Sequence, residues 1–156
     1  MTTVLDRIRE LGFSLPTPPK PVATYVPTIF CGNILITSGQ IPIVDGELKY
    51  KGSVPNAQPI EAAIKAAEIC GLNSLAVAGE ALEGDLERIS RVVQLRVYVA
   101  SDLGFTDQSL VANGVSDMMV AIFGESGRHV RVALGSIGLP LGATVEVEAA
   151  FEIKDK

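Results

Sequence analysis

Hydrophobic positions recur along this chain with two different spacings, which predict helices in some segments and strands in others. Helical spacing of the apolar residues predicts two long helices, over about 59–78 and 107–123, each followed by a glycine. Alternation of apolar and polar residues, and short apolar runs between turn residues, predict strands. The predicted strands cover 22–30, 34–37, 93–99, 130–137 and 144–153.

The first twenty residues are predicted as an extension within a single domain that spans residues 1–156. A short helix is expected from Thr3 to about Gly12, because Thr3 is a good capping residue with Asp6 three positions later. The prolines between residues 15 and 21 exclude both helix and sheet ladders. This segment is therefore expected to be an extended connector on the surface.

Residues typical of turns and of helix ends predict the remaining connections. Cys31-Gly32-Asn33 is a plausible tight hairpin, Gly79 is the expected exit of the first long helix, and Thr106 is the expected cap of the second. The polar segment 44–53 is expected to be a turn with a short edge strand. The order of elements predicts an α+β fold, with one mixed sheet backed by two long helices on one face.

Composition narrows the class of protein. The chain has 156 residues, 47% of them hydrophobic, with a net charge of −5 and no Trp, so the expected core is aliphatic. The negative charge argues against a nucleic-acid partner, because affinity for phosphates comes from Lys and Arg. No membrane span or signal peptide is recognised, so the expected location is cytoplasmic and no membrane partner is expected. Cys31 and Cys70 are expected to be two buried free thiols.

The last two strands carry the residues best suited to chemistry. If Val130, Val132 and Leu134 face the core, Arg131 points the opposite way, beside small neighbours that leave room for a carboxylate. On the final strand, Glu146 and Glu148 share the polar face, and one of them could act as a general base. A surface ion pair between Arg131 and one of these glutamates fits the same pattern.

Other motifs give little support for a cofactor or a metal. His129 is the only histidine, which excludes a His-rich metal site, and it is expected in a loop or at an interface. The glycine-rich stretch 135–142 lacks the Lys-Ser/Thr of a phosphate loop and the order of a dinucleotide fingerprint. We therefore expect neither a cofactor nor a metal ion.

Several short motifs, in this order, resemble the reactive-intermediate (enamine/imine) deaminases, the Rid or YjgF family. The resemblance extends over about residues 20–154. Its pieces are Tyr25, Ile36-Thr37-Ser38-Gly39-Gln40-Ile41-Pro42, Arg96-Val97-Tyr98-Val99, Asn113, Arg131, Leu139-Pro140 and Val145-Glu146-Val147-Glu148-Ala149. The family fold is chorismate-mutase-like, so the resemblance implies a homotrimer whose sheets pack into a central barrel, with sites in clefts between subunits.

The resemblance also implies an activity, the hydrolysis of 2-imino acids to 2-keto acids and ammonia without a cofactor. Arg131 matches the arginine that holds the substrate carboxylate, and Glu146 matches the glutamate that activates water. Other cleft positions are matched by Tyr25, Ser38, Gly39 and Asn113, and Ala133 is expected on the pocket floor. The chain departs from many members at Val132 and Ala133, where Ser and then Cys or a similar residue are common, and in its extension at residues 1–20.

Two alternative functions remain open on the same scaffold. The first is a noncatalytic protein, a stress-related one or a binder of small carboxylates, which would keep Arg131 as a clamp but would not need Glu146 as a base. The second is ribonuclease action, attached to the family under the label endoribonuclease L-PSP together with translation inhibition. Its expected signature, a basic patch, is missing from this acidic sequence.

Overall fold

A five-stranded sheet with two long helices on one face forms the frame of the molecule, in a computed structural model that describes residues 1–21 and 23–155. The helices are α1 (Val4–Glu10), α2 (Ile60–Ala81) and α3 (Gln108–Phe123). The strands are β1 (Thr28–Cys31), β2 (Ile34–Thr37), β3 (Ile43–Val44), β4 (Glu47–Leu48), β5 (Ile89–Ala100), β6 (Val130–Ser136) and β7 (Val145–Ile153).

The main sheet is mixed, with strand order β1-β2-β7-β5-β6. β5 and β6 are parallel and are joined by a crossover through α3, whereas the other neighbouring pairs are antiparallel. β3 and β4 form a separate two-stranded hairpin that begins one residue before the segment 44–53, where a turn and one short strand were predicted. The predicted α+β class, with a mixed sheet and two long helices, is confirmed.

The core lies between the sheet and the two long helices. Leu95, Val97 and Phe151 point from the central strands toward α2 and α3 and are fully buried. The two helices pack closely, because a Cβ atom added at Gly114 of α3 would lie 2.4 Å from the backbone carbonyl oxygen of Ile64 on α2. This close packing seats both helices against one face of the sheet and leaves the other face, here called the open face, without a helical layer.

The N-terminal helix packs on the edge of this core. Its predicted cap is confirmed: the Thr3 hydroxyl accepts from the Asp6 amide, and the Asp6 carboxylate accepts from the Thr3 amide. Val4 and Ile8 are buried within the core cluster. The amide of Val4 also donates to the side chain of Glu87, which ties the start of α1 to the turn before β5.

The structure corrects several predicted boundaries. β1 starts at Thr28 rather than at residue 22, because Pro27 has no N–H to donate to the ladder, which begins where Thr28 meets Thr37. Val22 itself lies outside the described residues. α2 continues through Gly79 to Ala81, because Gly79 is buried inside the helix and packs against Leu86 instead of ending it.

The start of α3 and the environment of Cys31 also differ from expectation. Asp107, not Thr106, is the N-cap of α3, and no side-chain hydrogen bond caps that end. Cys70 is buried as predicted, but Cys31 is exposed, because it lies at the end of the edge strand β1 beside the two-residue turn. α2 is long and apolar enough to cross a membrane by composition alone, yet most of it is buried within this fold.

Candidate active site

Arg131 faces the helices, which reverses the orientation predicted for β6. Val130, Val132 and Leu134 are 64%, 37% and 51% exposed on the open face, so the prediction that they face the core was wrong. Arg131 is in register with the buried Leu95 and lies on the same side of the sheet. β6 is an edge strand beside α3, and the small residues Ala133 and Gly135, which follow Arg131 on the same face, leave room for the guanidinium beside the helix.

Two side chains on α3 hold the guanidinium of Arg131. Its Nη1 donates to Asn113 Oδ1 at 2.9 Å and to Ser116 Oγ at 3.1 Å. Asn113 and Ser116 are three residues apart, so both lie on the same face of the helix. Both contacts use Nη1, which leaves the Nε–Nη2 edge in a geometry that can bind a carboxylate through two parallel hydrogen bonds. Ala133 lies on the same face of β6, as predicted from strand alternation.

Glu146 lies on β7, where its side chain is half-buried at the side of a cleft of about 240 Å³. Gly39 fits directly against its carboxylate, because an added Cβ there would lie 2.2 Å from Glu146 Oε1. Paired backbone hydrogen bonds of 2.8 and 2.9 Å between Gln40 and Val147 hold this segment along β7. Because Gly39 has no side chain, the backbone of this motif can lie directly against the Glu146 carboxylate.

Burial raises the pKa of the Glu146 carboxyl above its ordinary value, and the nearby negative charge of Glu148 adds to this effect. Glu148 itself accepts a hydrogen bond of 2.9 Å from the Tyr98 hydroxyl and lies 3.9 Å from Arg96 Nη1. The two acids, which strand alternation alone could not tell apart, therefore have different surroundings. Glu148 is engaged with its neighbours, while Glu146 is the one beside the cleft with a perturbed pKa.

Tyr25 and Ser38 lie near Gly39, but they take different parts in this region. Tyr25 lines the cleft. The hydroxyl of Ser38 donates to the carbonyl of Val26 at 2.6 Å, so in this structure it fixes the chain that carries Tyr25.

The remaining lining of the cleft is mostly apolar and was not predicted from single residues. The extension contributes Pro19, Lys20 and Pro21. Apolar side chains from the rest of the chain come from Pro27, Ile41, Ile43, Pro140 and Leu141. The proline run predicts only an extended backbone, because proline fixes φ and lacks an N–H. Which surface that segment contacts is decided by the fold.

The predicted site residues form two separate groups in one copy of the chain. One group, the acid half-site, consists of Tyr25, Ser38, Gly39 and Glu146. The other, the arginine half-site, consists of Asn113, Arg131 and Ala133. β5 separates them, because Arg131 is in register with Leu95 on one side of β5 and Glu146 with Tyr98 on the other. The backbone positions of Arg131 and Glu146 are roughly 10 Å apart across the strands and roughly 10 Å apart along them, and the two side chains point to opposite faces of the sheet.

The open face carries exposed apolar side chains beside the acid half-site. Ile29, Ile36 and Val130 fall in one cross-strand row, and Leu134 is in register with Tyr98 further along. Side chains of this kind grouped on one sheet face are typical of a surface that another protein covers. Among residues 1–21 and 23–155, no cluster of three or more His, Cys, Asp or Glu side chains could hold a metal ion.

Comparison with known proteins identifies relatives over almost the whole chain. A family profile described as "YjgF/chorismate mutase-like, putative endoribonuclease" matches residues 6–152. Protein TCP17 of Trypanosoma cruzi is 40% identical over 153 residues, which is 97% of this chain and 95% of that protein.

Solved structures give the same result for the fold. The crystal structure of Atu1372 from Agrobacterium tumefaciens, a protein of unknown function, is 42% identical with a TM-score of 0.92 and covers 97% of this chain and 92% of that one. The crystal structure of a protein from Shewanella oneidensis described as a "putative endoribonuclease" is 28% identical with a TM-score of 0.93 and covers 97% of this chain and 99% of that one. Coverage of 97% extends these likenesses into the N-terminal extension.

Proposed function

Because the chain belongs to the YjgF/chorismate mutase-like family, we propose that it hydrolyses 2-imino acids and their enamine tautomers to 2-keto acids and ammonia. The observation that carries this proposal is a matched pair of half-sites. One presents an arginine held by two side chains, and the other presents a glutamate whose pKa is raised beside an apolar cleft.

The proposed roles follow from the chemistry of the substrate. A 2-imino acid carries a carboxylate next to its C=N bond, and the Nε–Nη2 edge of Arg131 is suited to bind that carboxylate. As the water oxygen adds to C2, the Glu146 carboxylate takes one proton from the water and passes it to the imine nitrogen, which gives a carbinolamine. Glu146 then takes the hydroxyl proton of the carbinolamine and delivers it to the nitrogen as the C–N bond breaks and the C=O bond forms, and the products are a 2-keto acid and ammonia. Imines already hydrolyse in water, so orientation and one proton-transfer group are sufficient.

The complete site requires a second copy of the chain under this proposal. The two half-sites are on opposite faces of one sheet, so one substrate cannot contact Arg131 and Glu146 of the same copy. A ring in which the arginine half-site of one copy meets the acid half-site of the next would close with repeated, identical interfaces. The exposed apolar residues of the open face support such packing, and we propose a homotrimer.

The cleft beside Glu146 is proposed to hold the side chain of the substrate. Its lining is mostly apolar, with Pro19 and Pro21 of the extension on one wall and Ile41 and Ile43 on another. An apolar side chain placed there would remove water from the neighbourhood of the reacting carbon. The extension is therefore proposed to take part in the choice of substrate.

The test is to measure the loss of 2-iminopropanoate and 2-iminobutanoate, generated in place by an amino-acid oxidase, with wild type and with Arg131→Ala. The proposal predicts acceleration by wild type and none by Arg131→Ala at unchanged thermal stability. Equal acceleration by both proteins would refute the role of Arg131. Binding of 2-ketobutyrate by wild type without turnover would instead favour the noncatalytic alternative.

The ribonuclease named in the family description has less physical support. The chain has a net charge of −5, whereas RNA binding requires Lys and Arg arranged along a groove. His129, the only histidine, is hydrogen-bonded on both ring nitrogens to Ser116 and Gly127. RNA cleavage by purified wild type that disappears in a His129 variant would overturn this view.

A further inference from the structure

We propose that Ser116 and His129 are positioning residues for Arg131, and that a hydrogen-bond chain from the Gly127 carbonyl through both side chains holds the guanidinium ready for a carboxylate. This inference rests on the proposed role of Arg131 as the substrate clamp. It gives a role to His129, which the catalytic roles proposed for Arg131 and Glu146 do not use.

For a neutral His129 ring, the direction of each hydrogen bond in the chain follows from which groups can donate and which can accept. A backbone carbonyl only accepts, so at 2.6 Å from the Gly127 oxygen the Nδ1 of His129 must carry its proton. In the neutral ring Nε2 is then an acceptor, and the Ser116 hydroxyl donates to it at 2.8 Å. With its proton directed to His129, Ser116 Oγ turns its lone pairs toward Arg131 Nη1 at 3.1 Å.

The far end of the chain is anchored to rigid backbone. Gly127 is buried and packs against α3, because a Cβ atom added there would lie 2.3 Å from the carbonyl oxygen of Met119. The helix and the turn before β6 are therefore fixed with respect to each other at this point. His129 spans between that turn and Ser116, so the ring has one orientation that satisfies both of its nitrogens.

The chain complements the contact of Asn113 with the same nitrogen. Asn113 Oδ1 alone could hold Nη1 while the guanidinium plane turned about that single bond. A second acceptor three residues along the same helix, Ser116 Oγ, defines the plane as well. A bidentate contact with a planar carboxylate depends on that plane, so loss of the second acceptor should weaken substrate binding more than it weakens the fold.

The test uses variants that remove or preserve individual links. Ser116→Ala removes the hydroxyl, His129→Leu removes both ring nitrogens, and His129→Gln keeps a side-chain acceptor near the position of Nε2. Ser109→Ala is the matched control, because Ser109 is an exposed serine on the same helix and is not one of the two residues that hold Arg131. Each variant is checked for folding by thermal unfolding before kinetic measurement.

The expected result is a rise in KM for 2-iminobutanoate and in Kd for 2-ketobutyrate, with a smaller change in kcat. We expect an increase of roughly tenfold for Ser116→Ala, which removes one charge-assisted hydrogen bond, and for His129→Leu, which releases the Ser116 hydroxyl that accepts that bond. His129→Gln should recover most of the affinity, and Ser109→Ala should match wild type. The double variant Ser116→Ala/His129→Leu should be no worse than either single variant, because both break the same chain. Wild-type KM and Kd in Ser116→Ala, or additive losses in the double variant, would overturn the proposal.

A ¹⁵N NMR measurement of the His129 ring tests the hydrogen-bond chain without reliance on turnover. His129 is the only histidine, so its ring ¹⁵N resonances can be assigned without ambiguity. The proposal requires the Nδ1–H tautomer in wild type and a changed Nε2 shift in Ser116→Ala. An Nε2–H tautomer in wild type would overturn the chain directly. If the tautomer is as proposed but wild type neither binds 2-ketobutyrate nor hydrolyses imines, the proposed function fails while the hydrogen-bond chain stands.

Discussion

Replacement of Gly39 by alanine should disable the acid half-site while leaving the fold intact. The added Cβ would lie 2.2 Å from Glu146 Oε1, 2.9 Å from its Cδ and 3.1 Å from its Cγ. Gly39 does not have a positive φ, so alanine fits the backbone, and the steric conflict falls on the Glu146 side chain alone. That side chain must swing away from its present position against the segment 38–40.

The size of the effect can be worked out from these distances. To move from 2.2 Å to the 3.4 Å of ordinary contact, the carboxylate must retreat by about 1.2 Å. A misplacement of about 1 Å in a catalytic group costs roughly 10²-fold in rate. We therefore expect kcat/KM for 2-iminobutanoate to fall about 10²-fold, with most of the loss in kcat, because Arg131 still binds the substrate carboxylate.

The assay is steady-state hydrolysis of the imine together with thermal unfolding of each protein. Gly138→Ala is the matched control, because a Cβ there meets nothing within 4 Å and its φ is not positive. It should retain wild-type activity and stability. Wild-type kcat in a folded Gly39→Ala protein would refute the argument that the position of the Glu146 carboxylate limits the reaction.

Three further substitutions test other parts of the account. Glu148→Gln removes the negative charge that helps to raise the pKa of Glu146, so this pKa should fall. The acid limb of the kcat/KM profile, where the base becomes protonated, should then move to lower pH. An acid limb at unchanged pH would show that another group controls it. Gly114→Ala forces a Cβ against the Ile64 carbonyl and should destabilise the fold by roughly 1–3 kcal/mol in urea unfolding, and a neutral effect would contradict the close helix packing. Thr3→Ala breaks the capping box of α1 and should cost about 1 kcal/mol by the same measurement, whereas no loss would show that α1 adds little to stability.

The α+β class and most of the element order could be predicted from the sequence, because apolar periodicity reports which faces of helices and strands are buried. The orientation of β6 could not. Val130, Val132 and Leu134 are as apolar as core residues, and the pattern alone cannot show whether a helix or another protein covers them. In the structure it is Arg131 that faces the helices, where it contacts Asn113 on α3.

The candidate site was predictable as a set of residues but not as an arrangement. The motifs name Arg131 and Glu146, yet only the strand order reveals that β5 lies between them. The part played by Ser116 was missed, because a serine in the middle of a helix carries no signal until its neighbours are known. The role of the proline run was equally hidden, since contact of Pro19 and Pro21 with the cleft depends on the path of the whole extension. The catalytic roles themselves stay predictions.

The most direct test of the account asks whether a complete site uses residues from two copies of the chain. Arg131→Ala and Glu146→Gln should each be inactive when expressed alone. Co-expressed in equal amounts, they form mixed rings in which an intact arginine half-site meets an intact acid half-site at about one quarter of the interfaces. The account predicts recovery of about a quarter of wild-type activity in the mixed preparation. Mixed rings that form, as shown by two different affinity tags, but remain inactive would contradict a site shared between copies.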